Sequence, residues 1–227
     1  MRIKSCFLSE AQEITYTTIL GEKISISYIY SYHDEFSRMY LGEDIVWYMF
    51  DTSYAKRAKA MEEGMKKVKK KTSLEEEALE SLPKLLKRYE LREGGAILAI
   101  QRPKGYVPLA MLEAFTYQDI VRIVSRLEDL VCVLEMTGHV HGLMTAESLF
   151  VEPGTGNCSL LGGWWNAHVK KSYEKLHAND DLLSIRELAI LMLGKNRSRI
   201  SKDFERFLNL APAEIAREDR KNWKLVK

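Results

Sequence analysis

His139 and His141 stand two residues apart in Gly138-His139-Val140-His141-Gly142, with Glu147 shortly after and Asp180-Asp181 further on. An imidazole near a carboxylate is the usual equipment for moving protons, so His139, His141, Glu147 and Asp181 are the acid–base candidates. The same residue types also cap helices and anchor loops, and that plainer role competes for Glu147 and Asp181. In an extended segment His139 and His141 share a face and would make half of a metal site. His33, His168 and His177 are far away in sequence, no third ligand suggests itself, and no metal is expected. Cys6, Cys132 and Cys158 are odd in number and lack metal-ligand spacing. They are expected as small buried hydrophobes in a reduced, cytoplasmic protein. Trp164-Trp165 could form a ligand platform or a partner hot spot, although core packing suits at least one of them.

These residues need elements to position them. Residues 12–50 are rich in β-branched and aromatic side chains. Glu13–Leu20 and Ile24–Tyr30 flank the turn Gly21-Glu22-Lys23 and predict a hairpin, with Ile24, Ile26, Tyr28 and Tyr30 on one face. Asp44–Phe50 predicts a third strand, and three such strands need a cover on one face. Tyr54–Lys71 carries eight Lys or Arg and two Glu, a local net of +6, with Ala58, Met61, Met65 and Val68 at helical spacing and Gly64 interrupting. It reads as a solvated helix, or as a basic patch formed with Lys66, Lys67, Lys69, Lys70 and Lys71 for nucleic acid or an acidic partner. Ser73 with Glu76 three residues on forms a capping-box pattern for a further helix to about Tyr89, kinked at Pro83.

After Gly94-Gly95, Ala96–Ile100 predicts a buried strand. Ile120, Val121, Val124, Leu127, Leu130, Val131 and Leu134 recur at helical spacing across 117–136. His139 and His141 follow that helix directly. Two short strands flank the turn Glu152–Asn157, the second running through Cys158–Leu161 towards Trp164-Trp165. Asn179-Asp180-Asp181 then opens a buried helix, Leu182–Leu193, stopped by Gly194. Ser201–Leu208 predicts a last short helix, and the charged tail from Ala211 is expected at the periphery.

The whole chain of 227 residues is 46% hydrophobic and 29% charged, ordinary globular composition. Its 34 basic and 32 acidic residues leave +2, so no global field favours nucleic acid or a membrane surface. No apolar run reaches the ~18 residues of a membrane span, and the start is too soon interrupted by Glu10 for a secretory signal.

The order helix, histidine loop, strand, turn, strand, buried helix resembles the catalytic region of the protein kinase superfamily. Gly138-His139-Val140-His141-Gly142 resembles the G-x-V-H-G approach to that loop in bacterial kinase-like proteins. Thr145-Ala146-Glu147-Ser148 sits where P-E-N would follow, and Asp180–Ile185 resembles the start of the helix whose aspartate holds the loop. The resemblance covers most of the chain in layout and is specific over about 138–194. It implies an α+β, two-lobed protein-kinase-like fold, compact and truncated, with a β-rich lobe over 1–100 and a helical lobe over 101–227. It implies that His141 is a scaffold residue and Asp181 the loop anchor. The chemistry departs from the family. Leu143 stands for the catalytic aspartate and Ser148 for the metal-binding asparagine. Gly162-Gly163-Trp164 stands for D-F-G, and about Met49 for the phosphate-pairing lysine; between the first strands Gly21 stands alone where a glycine-rich loop belongs. Magnesium favours hard oxygen ligands, so neither catalytic residue, metal nor cofactor is expected. The resulting expectation is a pseudokinase, a protein-binding or regulatory module whose surfaces would be the basic segment and the region of Trp165. An enzyme of different chemistry in the cleft, or a nucleic-acid-associated protein, are the alternatives. The sequence leaves the oligomeric state open.

Overall fold

A computed structural model describes residues 1–4, 10–71, 81–169, 178–194 and 200–226. The chain opens on a short strand, β1 (Arg2–Ile3). The hairpin β2 (Gln12–Thr17) and β3 (Lys23–Tyr28) forms as the alternation predicts, closed around Gly21. The chain does not continue as one strand to Tyr30. It breaks at Ile29, and Tyr30–His33 starts β4, which pairs with β5 (Arg38–Leu41). The Asp34 side chain makes the connecting turn by accepting the N–H groups of Phe36 at 2.7 Å and Ser37 at 2.6 Å. An aspartate bonding its own backbone two and three residues on is a turn signal in its own right.

β6 (Ile45–Phe50) continues the sheet, and α1 (Ala55–Lys71) comes next. The helix expected to run to about Tyr89 is not there over its second half. Residues 85–90 form β7 (Leu85–Glu90), antiparallel to β8 (Ala96–Gln101), and the Ser73–Glu76 cap lies outside the described residues. Pro83 cannot donate a helical hydrogen bond, whereas the edge of β8 offers residues 85–90 a whole ladder. The sheet order is β4-β5-β6-β8-β7.

Both faces of that sheet are covered, which explains the unbroken apolar run of β8. On one face α1 buries Ala58, Met61, Met65 and Val68, the four residues of its helical stripe. On the other, Ile24 and Ile26 of the hairpin pack with Tyr40, Met49, Leu91 and Ile97. Burying each large apolar side chain contributes roughly 1.5–3 kcal/mol. Gly64 has a specific reason to lack a side chain: a Cβ there would lie 2.8 Å from the carbonyl oxygen of Trp164.

β9 (Val107–Pro108) and β10 (Leu112–Glu113) bridge to the helical part, β10 taking β1 as its partner. α2 (Tyr117–Met136) has the predicted bounds and a reciprocal capping box between Thr116 and Asp119. β11 (His139–Val140), β12 (Leu149–Val151), β13 (Cys158–Leu160) and β14 (His168–Val169) come after it, then α3 (Ala178–Leu193), packed against α2. α4 (Lys202–Asn209) is capped by Ser201.

The tail is not peripheral. α5 (Ala216–Lys224) places Trp223 between Phe204 and Phe207, ring centroids 5.3 and 4.9 Å away, and its Nε1 donates to Ser125 Oγ at 2.9 Å. Asp219 is fully buried and pairs with Arg186 at 2.8 Å. The many charges of this segment hide one apolar helical face. Among the described residues no helix is long and apolar enough to cross a membrane.

Candidate functional site

The histidine loop hangs from α3. Asp181 turns its carboxylate to the backbone, each oxygen accepting one N–H, from His141 and from Gly142, both at 2.8 Å. Gly142 takes the left-handed φ of 81° that lets the chain turn there. Burial pushes the Asp181 carboxyl up to about 6, opposed by the two N–H donors.

His141 is wholly buried. Its Nε2 lies 2.9 Å from the carbonyl oxygen of Gly162, and its Nδ1 accepts the N–H of Leu143 at 3.3 Å. A carbonyl can only accept and an amide N–H can only donate, so the proton sits on Nε2. Burial pulls the ring down to about 4, and it is neutral at physiological pH. Trp164, also fully buried, meets that ring edge-on at 4.8 Å and donates its Nε1 to Leu160 O at 2.8 Å. Gly163 adopts φ 77°, and a Cβ there would lie 2.7 Å from His141 Cε1. These side chains brace the loop and leave His141 no lone pair or proton for a substrate.

The acid–base pair suggested by Glu147 and Asp181 does not form. Asp181 faces the loop backbone, and Glu147 lines a cavity of about 190 Å³. His139 approaches Thr137 Oγ1 at 3.1 Å, and His168 approaches Asn166 O at 2.9 Å. His177 lies outside the described residues. Among the described residues no three His, Cys, Asp or Glu are placed to hold a metal ion. Burial raises the thiol of Cys132 to about 11 and that of Cys158 to about 12, so both stay protonated and unreactive. Cys6 is outside the described residues.

The cavity lies between the two parts of the fold. The helical side supplies Leu143, Thr145, Glu147 and Ser148. Ser148 is occupied locally: its Oγ accepts from Thr145 N at 2.8 Å and lies 3.1 Å from Thr145 O. Gly162, Gly163 and Trp165 close one wall. The sheet side supplies Tyr48 from β6 and the turn 34–37 between β4 and β5.

Two sequence assignments change here. Met49 points away from the cavity, into the cluster beneath the hairpin, and Tyr48 faces the cavity instead. Strand alternation puts the two on opposite faces. Gly21 closes a different hairpin; the loop over the cavity is Asp34-Glu35-Phe36-Ser37. A Cβ on Gly162 would lie 2.5 Å from Tyr48 Oη. That hydroxyl is buried and, among the described residues, has no hydrogen-bond partner, as is true of Trp165 Nε1.

The expected partner surface divides. Lys66 and Lys67 are exposed on α1 and paired to Glu62 at 2.5 Å and Glu63 at 3.7 Å. The side chains of Lys69, Lys70 and Lys71 lie outside the described residues. Trp165 is a half-buried wall of the cavity.

No family model matches the chain, and no curated protein matches it in sequence. Solved structures do match in shape. Vaccinia related kinase 3 superposes with a TM-score of 0.65 at 13% identity, over 96% of this chain and 92% of that one. WbdD superposes with a TM-score of 0.61 at 12% identity, over 89% of this chain and 46% of that one. A second structure of WbdD, a bifunctional kinase-methyltransferase, gives 0.59 at 12% identity, over 90% of this chain and 48% of that one. With the sheet, the histidine loop and its α3 anchor in this order, the chain has the two-lobed protein-kinase-like fold, with a small β-rich lobe followed by a helical one.

Proposed function

We propose that the protein is a pseudokinase, a kinase-like module that performs no metal-dependent phosphotransfer and acts by binding a protein partner. The observation that carries this reading is the contact of Tyr48 with Gly162. Phosphoryl transfer needs a carboxylate on magnesium after the second loop strand, and a lysine on the third strand of the sheet. Tyr48 takes the lysine's place, and its hydroxyl occupies the space where a side chain at 162 would begin. Either residue alone could be a chance replacement. Together they leave neither a lysine nor a metal-binding carboxylate at these two positions of the cavity wall.

The other positions agree. Leu143 offers no base, and the Ser148 hydroxyl is engaged with Thr145. Magnesium prefers carboxylate and phosphate oxygens in octahedral array, and the residues at these positions do not fit it. His141 is too buried and too fully bonded to serve other chemistry in the cleft. Lys66 and Lys67 have acidic neighbours on their own helix, which weakens a nucleic-acid role. A reduced, cytoplasmic setting agrees with two protonated, partly or wholly buried thiols.

Calorimetry with ATP, with and without magnesium, tests the reading. No binding is expected in either buffer. Tight magnesium-dependent binding would sink it.

A further inference from the structure

The cavity beneath the 34–37 turn has an unusual lining for this place in the fold. The aromatic side chains of Tyr32, Phe36, Tyr48 and Trp165 form its walls, and its charged groups, Asp34, Glu35 and Glu147, are all acidic. No Lys, Arg or His among the described residues lines it. Asp34 is engaged by the turn it caps. Glu147 is half-exposed, and among the described residues no hydrogen bond or ion pair engages its carboxylate. Its charge and that of Asp34 add to burial in raising the phenols of the wall residues Tyr32 and Tyr48.

Such a site repels phosphate and attracts positive charge. Aromatic faces carry negative quadrupole density and hold organic cations. One wall residue already does so: the guanidinium carbon of Arg57, which does not line the cavity, lies 3.6 Å from the Phe36 ring centroid. Among the described residues the carboxylates do not converge with a third ligand as a metal cage would require. The Tyr48 hydroxyl and the Trp165 N–H are buried from the cavity as well as from solvent, so a ligand would meet the aromatic rings and the carboxylates.

We propose that this cavity binds a small organic cation of the alkylammonium class. The ammonium faces Glu147 and the ring faces. The proposal deepens the binding-module reading and rests on it, since the cavity must be free of nucleotide phosphates.

The test is calorimetry of the full chain with 2-methoxyethylammonium chloride. Butylammonium chloride, similar in size but lacking the oxygen, and potassium chloride at equal ionic strength serve as comparators. Saturable binding of both amines is expected, and none from potassium. Glu147→Gln, which removes charge without breaking a described hydrogen bond, should weaken both amines by about tenfold or more. Its melting temperature, read alongside, should match that of the parent.

Undiminished binding by Glu147→Gln overturns the assignment, as does no saturable binding of either amine. If neither amine nor magnesium-ATP binds, the cation site alone fails and the pseudokinase reading stands. If magnesium-ATP binds and the amines do not, both fail. A lysine-containing peptide that binds through Glu147 while the free amines do not would replace the small molecule by a partner's side chain and overturn the proposal in this form.

Discussion

At position 162 a side chain would begin 2.5 Å from the Tyr48 hydroxyl, closer than real Cβ atoms come to anything, so the two positions are coupled. Gly162→Ala is expected to cost about 1–3 kcal/mol in urea denaturation, the usual penalty of overpacking. Repeating it in a Tyr48→Phe background, where the obstructing oxygen is gone, should recover a good part of that loss. Equal costs in the two backgrounds would mean that Tyr48 is not the obstacle. The histidine loop was legible at this scale because its residues are close in sequence: the spacing from His141 to Ser148 is local, and Asp181 sits in a recognisable helix start. Tyr48 was not. Choosing it over Met49 requires knowing which face of β6 looks into the cleft, and alternation alone leaves that parity undetermined.

Among the elements, α1 shows packing overruling propensity. Gly64 lies in the interior of a helix, where alanine is favoured by about 1 kcal/mol. Yet its missing Cβ is what lets the helix touch the Trp164 carbonyl. Gly64→Ala should therefore lower the melting temperature despite improving helix propensity. A rise would show that α1 can shift off the 164–166 turn at little cost. α5 makes the converse point. Its charged sequence reads as a surface tail, but one face carries Ala216, Asp219 and Trp223 into the core. Trp223→Ala should destabilise by about 3–5 kcal/mol, measurable as a shift in the denaturation midpoint. A change under about 0.5 kcal/mol, typical of surface positions, would return the tail to the periphery.

For the whole molecule, pH is the informative variable. Glu128 is fully buried on α2, and desolvation together with the Asp219 charge raises its carboxyl to about 8, with Arg186 opposing. A carboxyl raised on folding binds its proton more tightly in the native state. Its favourable contribution is present at low pH and lost as pH rises from the unfolded value through about 8. His141 has the opposite sign: pulled down to about 4, it withdraws stability only as pH falls below its unfolded value of ~6.5. Asp181, raised to about 6, opposes His141 in that lower window. Between roughly pH 6.5 and 8 Glu128 is left as the dominant titrating group of the three, and unfolding free energy should fall there by about 2 kcal/mol. Glu128→Gln, which keeps a donor for Asp219, should flatten that slope in chemical denaturation at matched salt. A slope unchanged by the substitution would assign the effect elsewhere.

Sequence alone determined the elements whose signals are local and redundant. These are the hairpin around Gly21, the buried strand at 96–100, the helix over 117–136, the histidine loop with its aspartate anchor, and the kinase-like order that joins them. In each, a run of side chains satisfies one periodicity and a cap or glycine ends it. Tertiary structure decided what depends on a partner distant in the chain. β7 is a strand because β8 offers its edge, and β4 ends the first hairpin early because β5 takes its hydrogen bonds. One face of the 211–226 tail is buried because Phe204, Phe207 and Ser125 make a place for Trp223. The character of the cleft belongs to this second kind. Its aromatic and acidic walls come from segments distant in the chain, and only the packing of sheet against loop brings Tyr48, Glu147 and Gly162 to one cavity.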